Sequence, residues 1–334
     1  MTEDLAAVLR IGTRASALAT TQSELVATLI RDRLGRETEL VAISTEGDRS
    51  QAAGTPLAEL SPGGTGVFVS ALRDAILDGR VDLAVHSLKD LPTAPAEGIH
   101  LAAVPTREDP RDVVVARDGL TLGELPVGSR VGTASPRREA QLHALGLGLD
   151  VVPVRGNVDT RIGKVRNGDY DAVVLARAGL ARLGRIEEAT EVLDPLQMLP
   201  APGQGALAVE CADTPTGRKL ATELAALDDP RTRAAVAAER AVLATLEGGC
   251  SAPIGALAEV VEGEDGDELW VRAVALSHDG RLSVRMSASG DPADATGLGN
   301  RLAGEMLADG AGQLEEHTAR ATDQAAEQAK VQNA

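Results

Sequence analysis

A chain of 334 residues with a formal charge of −17 is long enough for two or three domains, each with its own core. The negative charge repels nucleic acid and anionic lipid, and Phe68, Tyr170 and Trp270, its aromatic residues, offer no series on which bases could stack. Two distant cysteines imply no disulfide framework, and no apolar run approaches the roughly 20 residues of a membrane span. The opening Met1-Thr2-Glu3-Asp4 has no leader-like pattern, so a cytoplasmic protein bound to neither membrane nor nucleic acid is expected.

From Leu9 to about Ala212, short apolar runs alternate with helical patterns. Leu9 to Thr13 reads as a strand, Ser16 to Leu34 as a helix, Glu39 to Ser44 as a strand, Val67 to Leu77 as a helix and Asp82 to His86 as a strand. A second series follows: strands at Val113 to Ala116, Arg130 to Thr133, Val151 to Val154 and Ala172 to Leu175, with helices at Pro136 to Leu145 and Val158 to Asn167. This predicts two parallel-type α/β sheets with covering helices and a cleft between two lobes. Val104 to Pro110 and Leu199 to Gly205 read as linkers.

After Pro230 a helix to about Leu246 leads into strands near Ile254 to Val261, Glu268 to Ser277 and Arg281 to Ser289, then a helix near Ala293 to Ala308 and a polar tail. The acidic turn Glu262 to Asp267 and the Asp279-Gly280 turn predict an antiparallel sheet. The expected domains are residues 9–105 with 206–228, residues 111–201, and residues 230–310, with a tail over 311–334. The glycine-rich loop Glu46 to Gly66 reads as a lid or as a surface excursion.

In Val131-Gly132-Thr133-Ala134-Ser135-Pro136-Arg137-Arg138-Glu139, Ser135 can cap a helix that Pro136 opens. Two arginines in the first turn oppose the helix dipole by about 0.3 to 1 kcal/mol each, and an anion between them would reverse the sign. The alternative is that both point outward toward acids such as Glu139. Arg14 with Ser16, and Arg155 with Arg161, repeat the pattern at strand ends, and Arg182 comes near the end of a further helical stretch. Ligands of open α/β sheets bind at that edge, so a polyanion such as a phosphate or multiple carboxylate is expected. His86-Ser87-Leu88-Lys89-Asp90 places a lysine and an aspartate beyond a buried strand. Asp90 can accept N–H groups or steady a developing cation, or form a local pair with Lys89.

Cys250 stands in Glu247-Gly248-Gly249-Cys250-Ser251, where two glycines leave room for a group carried on its sulfur. It can equally be a small buried hydrophobe, as Cys211 in Leu207-Ala208-Val209-Glu210-Cys211 is read to be.

Together, Arg14 with Ser16, His86 to Thr93, Gly132 to Arg138, Arg155 to Arg161, Pro202 to Ala206 and Glu247 to Cys250 resemble the porphobilinogen deaminase family over about Leu9 to Ala308. The resemblance implies two doubly wound α/β lobes like those of periplasmic binding proteins, plus a smaller α+β C-terminal domain. It implies a monomeric transferase of haem biosynthesis that joins four porphobilinogen molecules onto a dipyrromethane cofactor held by Cys250 through a thioether. Asp90 matches the catalytic acid/base. Lys89, Ser87, Thr133, Ser135, Arg137 and Arg138 match cofactor contacts, and Arg14, Ser16, Arg155, Arg161, Arg182, Gln204 and Phe68 match contacts to porphobilinogen and the growing polypyrrole. Glu46 and Thr65 depart from the basic residues expected in the family's loop. Two rival readings remain: a two-lobed anion-binding protein that needs neither Cys250 nor Asp90, and a cysteine-nucleophile transferase, for which His86 and His143 are poorly placed in sequence.

Overall fold

The computed structural model describes residues 8–44, 69–247, 253–264 and 266–314. They gather by contact into two compact units. The first draws on Met1–Pro110, Ala178–Ile186 and Gly203–Arg233, and the second on Arg111–Arg177, Glu187–Pro202 and Ala234–Ala334. Two of the crossings, after Pro110 and before Gly203, fall in the proline-bearing runs read as linkers. Ala178–Ile186 belongs to the first unit although it lies inside the expected 111–201 lobe; Arg182 Nη2 ties it there by donating to the Gly205 carbonyl at 2.6 Å.

Along the chain run β1 (Leu9–Thr13), α1 (Ala17–Leu34), β2 (Thr38–Ala42), α2 (Ser70–Leu77), β3 (Leu83–Ser87), β4 (Ile99–Ala103), β5 (Asp112–Ala116), β6 (Arg130–Gly132) and α3 (Pro136–Ala144). Then come β7 (Asp150–Val152), α4 (Val158–Arg166), β8 (Ala172–Ala176), α5 (Arg177–Arg182), β9 (Glu191–Val192), β10 (Leu207–Ala212), α6 (Pro215–Leu224) and α7 (Pro230–Glu247). The described elements close with β11 (Ile254–Gly263), β12 (Gly266–Leu276), β13 (Ser283–Gly290) and α8 (Ala295–Ala308), short 3-10 turns aside.

The first unit holds a sheet of order β2-β1-β3-β10-β4. β1 pairs parallel with β2 and β3, whereas β10 is antiparallel to β3 and β4. The sheet is therefore mixed, not the parallel type expected. The chain returns at the edge where β3 ends, with Leu207 opposite Ser87, so it can only run back down the sheet.

Helices cover both faces. Val26, Ala27 and Ile30 of α1 and Leu224 of α6 pack with Ile11 and Leu83, while Leu72, Ala75 and Ile76 of α2 pack with Ala84 on the other side. α1 begins where Ser16 accepts the Ala19 N–H and stops where Gly35, at φ 62°, takes the left-handed conformation a β-carbon disfavours.

In the second unit the order is β7-β6-β8-β5-β9, with β5 antiparallel between β8 and β9. β6 is parallel to β7 and β8. β11, β12 and β13 form an antiparallel meander. One face of it, through Ala256, Val271 and Ala273, packs on Ala238, Val242 and Leu246 of α7 and Leu298, Leu302 and Met306 of α8. The other face packs Leu257, Val274 and Leu276 against Ala140 and Leu199. Gly299 lets α8 close on α7, since a β-carbon there would strike the Ala238 carbonyl.

Candidate functional site

In the first unit β1 and β3 run parallel and end at one edge, which sets Arg14 and Ser16 beside Ser87, Lys89 and Asp90. Ser16 serves there as the cap of α1. β3 passes into a 3-10 turn over Leu88–Asp90, in which Leu88 is buried, Lys89 half-buried and Asp90 exposed. Gln22 of α1 donates from Nε2 to Ser87 Oγ at 3.0 Å.

Lys89 is held from below by the loop before β10. Gly203 and Gly205 have φ of 76° and 88°; a β-carbon on the first would crowd Leu88 and the Lys89 nitrogen, and on the second the Glu108 carbonyl. Glycine alone allows both approaches. Between them Gln204 is buried, accepts from Lys89 Nζ at 3.2 Å and donates to the Pro110 carbonyl at 2.7 Å. Arg107 Nε grips the Gln204 carbonyl at 2.7 Å, and Arg182 the Gly205 carbonyl. Burial lowers the Arg182 pKa, while Glu108 works against that shift. Asp90, by contrast, has no hydrogen bond or ion pair among the described residues.

Two residues before this turn, His86 contacts Glu210 of β10, its Nε2 3.3 Å from Oε2. Arg73 of α2 donates to both Glu210 oxygens at 2.9 and 2.7 Å. Burial by itself would raise the Glu210 pKa, but the two hydrogen bonds from Arg73 and the proximity of His86 outweigh it and pull the carboxyl from 4.5 down to about 2. The stabilisation this gives is complete above the ordinary carboxylate range and is lost as pH falls through about 2. Glu210→Gln is expected to cost about 3 kcal/mol at neutral pH by leaving Arg73 without its buried counter-charge. Thermal melts between pH 7 and pH 2 should show wild type and variant converging in acid; a constant gap would assign the loss to packing.

In the second unit β6 and β7 end together, with the Thr133 N–H on the Val152 carbonyl at 3.0 Å and the Val154 N–H on the Thr133 carbonyl at 3.2 Å. Thr133 is buried and its Oγ1 accepts the Ser135 N–H at 3.2 Å. Ser135 stands at the cap position of α3, but its side chain makes no capping bond, contrary to expectation. Its half-buried hydroxyl stays at a helix start whose N–H groups favour an anion.

Arg137 and Arg138 do not point outward to Glu139: both are buried and turn inward. Arg137 Nη2 donates to Asp112 Oδ2 at 2.8 Å, and Arg138 donates to Oδ1 from Nη2 at 2.8 Å and Nε at 3.2 Å. Arg137 Nη1 also reaches the Leu199 carbonyl, and Arg138 Nη1 the Val174 carbonyl at 2.9 Å. The anion demanded by this helix start is thus supplied by the chain. β5 runs against β8, so its first residue, Asp112, lies opposite Ala176 at the edge where the parallel strands end.

One carboxylate does not neutralise this edge. Arg137 Nε is buried without a partner. Arg161 on α4 donates from Nε to the Gly156 carbonyl at 2.9 Å, and both burial and the charge of Arg138 lower its pKa. Arg155 is exposed after β7. Arg137 and Arg138 thus share the carboxylate of Asp112, and Arg161 lies close enough to Arg138 for that charge to lower its pKa, a donor set suited to further carboxylates.

Cys211 is fully buried, and burial with the charges of Asp213 and Glu210 raises its thiol to about 11, so it is inert. Cys250, Phe68, Glu46 and Thr65 lie outside the described residues. Sequence reasoning missed Asp112, Glu210 and Gln141, whose amide donates to the Leu199 carbonyl at 3.0 Å and accepts its N–H at 2.8 Å. For Asp112 the available signal was an acid at the head of the apolar run Val113-Val114-Val115.

The family model described as "Porphobilinogen deaminase, dipyromethane cofactor binding domain" matches residues 9–218, and "Porphobilinogen deaminase, C-terminal domain" matches residues 233–308. The chain belongs to the porphobilinogen deaminase family. Curated proteins named porphobilinogen deaminase from Mycobacterium marinum and Mycobacterium tuberculosis are each 58% identical to it over 315 residues, which is 92% of this chain and 96% and 98% of theirs. Among solved structures, a periplasmic substrate-binding protein of an ABC transporter from Coxiella burnetii is similar at 14% identity and a TM-score of 0.41, over 65% of this chain and 92% of that one. Porphobilinogen deaminases are enzymes of haem biosynthesis with a dipyrromethane cofactor, and the surplus guanidinium charge at Arg137, Arg138 and Arg161 fits the carboxylates that cofactor carries. Among the described residues, no helix is long and apolar enough to cross a membrane.

Proposed function

We propose that the chain is a hydroxymethylbilane synthase, a transferase that adds four porphobilinogen molecules head to tail to its dipyrromethane, releases ammonia at each addition and frees the tetrapyrrole with water. Cys250 is the attachment point, through a thioether. When bound, the dipyrromethane supplies an electron-rich pyrrole α-carbon as nucleophile.

The observation that carries this reading is Asp90: an exposed carboxylate with no partner among the described residues, at a strand edge beside a firmly held lysine. Asp90 accepts pyrrole N–H groups, steadies the positive charge that develops on porphobilinogen as ammonia departs, and takes the proton that the reacting ring carbon loses. Lys89, Arg14, Arg155 and Arg182 bind acetate and propionate groups, each charge-assisted hydrogen bond contributing about 1.5 to 3 kcal/mol. Ser16, Ser87 and Gln204 orient them, and Phe68 packs on a ring. Arg137, Arg138 and Arg161 hold cofactor and substrate carboxylates by surplus charge, with Thr133 and Ser135 adding hydroxyls.

Intact protein is expected to exceed its sequence mass by two porphobilinogens less two ammonia molecules. Cys250→Ala should weigh its sequence alone and lose turnover. A wild type that is unmodified yet fully active overturns the proposal.

A further inference from the structure

The second unit contains a pocket of about 370 Å³ that none of the residues above explains. Pro195, Leu196 and Leu199 form an apolar wall, and Arg272, Arg285 and Glu305 bring charge. Within this wall Leu199 is buried and Pro195 half-buried, while Leu196 is 73% exposed.

The two arginines share one face of the meander. Arg272 of β12 is opposite Ser287 of β13, and Arg285 is opposite Val274, so the two are diagonal neighbours on one face of the meander. Such neighbours lie about 7 to 8 Å apart, close enough for like charges to repel. Neither has a hydrogen bond or ion pair among the described residues. Arg285 is exposed and Arg272 half-buried, and partial desolvation lowers the Arg285 pKa. Glu305 lines the same pocket without an ion pair to either arginine, leaving its oxygens to accept an N–H.

We propose that this pocket is a second ligand site, binding a small dicarboxylate whose apolar body carries an N–H donor. Two carboxylates reverse the repulsion between Arg272 and Arg285, the ring covers Leu196 and Pro195, and the N–H meets Glu305. The pocket is at the small end of the roughly 300 to 1,000 Å³ typical of ligand sites, room for one substituted ring and not for a chain of four. Porphobilinogen belongs to this chemical class and the tetrapyrrole product does not; this link to the substrate rests on the function proposed above, while the pocket's charge pattern does not.

The test is calorimetric titration of the cofactor-loaded enzyme with two inert probes: the pyrrole acetate-propionate lacking the aminomethyl group, and benzene-1,2-dicarboxylate, which has no N–H. Wild type should bind two equivalents of the pyrrole probe and R272A/R285A only one, with loaded mass and kcat unchanged. The benzene probe should bind this site at least tenfold more weakly in wild type, and Glu305→Gln should narrow that difference. Equal stoichiometry in wild type and double variant overturns the site. Equal affinity for both probes, lost together in R272A/R285A, overturns the N–H assignment and leaves a general dicarboxylate site. Failure of the catalytic proposal would appear separately, as an unmodified mass with full activity.

Discussion

Asp90→Asn is expected to fold, to carry its dipyrromethane and to lose turnover by about 10²- to 10⁴-fold, the usual range for a positioned acid/base. Its side chain is exposed and has no partner among the described residues, so removing the charge strands no buried group. Surface changes of this kind shift stability by less than about 0.5 kcal/mol. The amide keeps the shape of the carboxylate and one acceptor oxygen, but it cannot take a proton or balance a cation. Intact mass and a thermal melt should match wild type while kcat falls and KM changes little, because Lys89 stays fixed by Gln204. A turnover within threefold of wild type would make Asp90 a surface residue. A parallel loss of melting temperature would make it a structural one.

How much of this edge could be read beforehand depends on the distance over which each residue acts. β1, α1 and β3 declare themselves locally: Ser16 and Gly35 bracket a helical run, and the apolar Leu83-Ala84-Val85 opens β3 before it ends on His86 and Ser87. Lys89 and Asp90 follow because they sit one turn beyond that strand. The place of β10 does not follow, because Leu207 to Ala212 looks the same whether it runs with its neighbours or against them; the direction comes from where the chain returns, opposite Ser87. Two-residue β9 and the edge strand β4 carry too little pattern to announce themselves. Gln204 was found by resemblance, yet its task of holding Lys89 needs the left-handed turns at Gly203 and Gly205.

Asp112 is the instructive miss. By sequence it is an acid just past the Val104 to Pro110 linker with nothing local to pair it, and the arginines of α3 read as awaiting a ligand. Both impressions dissolve once β5 is antiparallel, because the strand then begins where α3 begins. A helix start that is electrostatically wrong in isolation correctly signalled an anion, but local sequence cannot say whether that anion is a ligand or a distant part of the same chain.

Asp112→Asn should be the most destabilising single change among these residues. Asp112 is completely buried and accepts from both Arg137 and Arg138, whose side chains are 7% exposed. Removing the one carboxylate leaves two buried guanidiniums facing each other near Arg161, a loss of about 3 to 5 kcal/mol out of the roughly 5 to 15 that stabilise a typical domain. Far-UV circular dichroism should show melting lowered on the order of 10 °C. An added anion separates this account from simple cavity formation: sulfate, compared with chloride at equal ionic strength, should raise the melting temperature more in the variant than in wild type, because it can bind the vacated forks in the folded state. A shift below about 2 °C would show that the guanidiniums find other partners, and equal sulfate responses in the two proteins would place the loss in packing instead of charge.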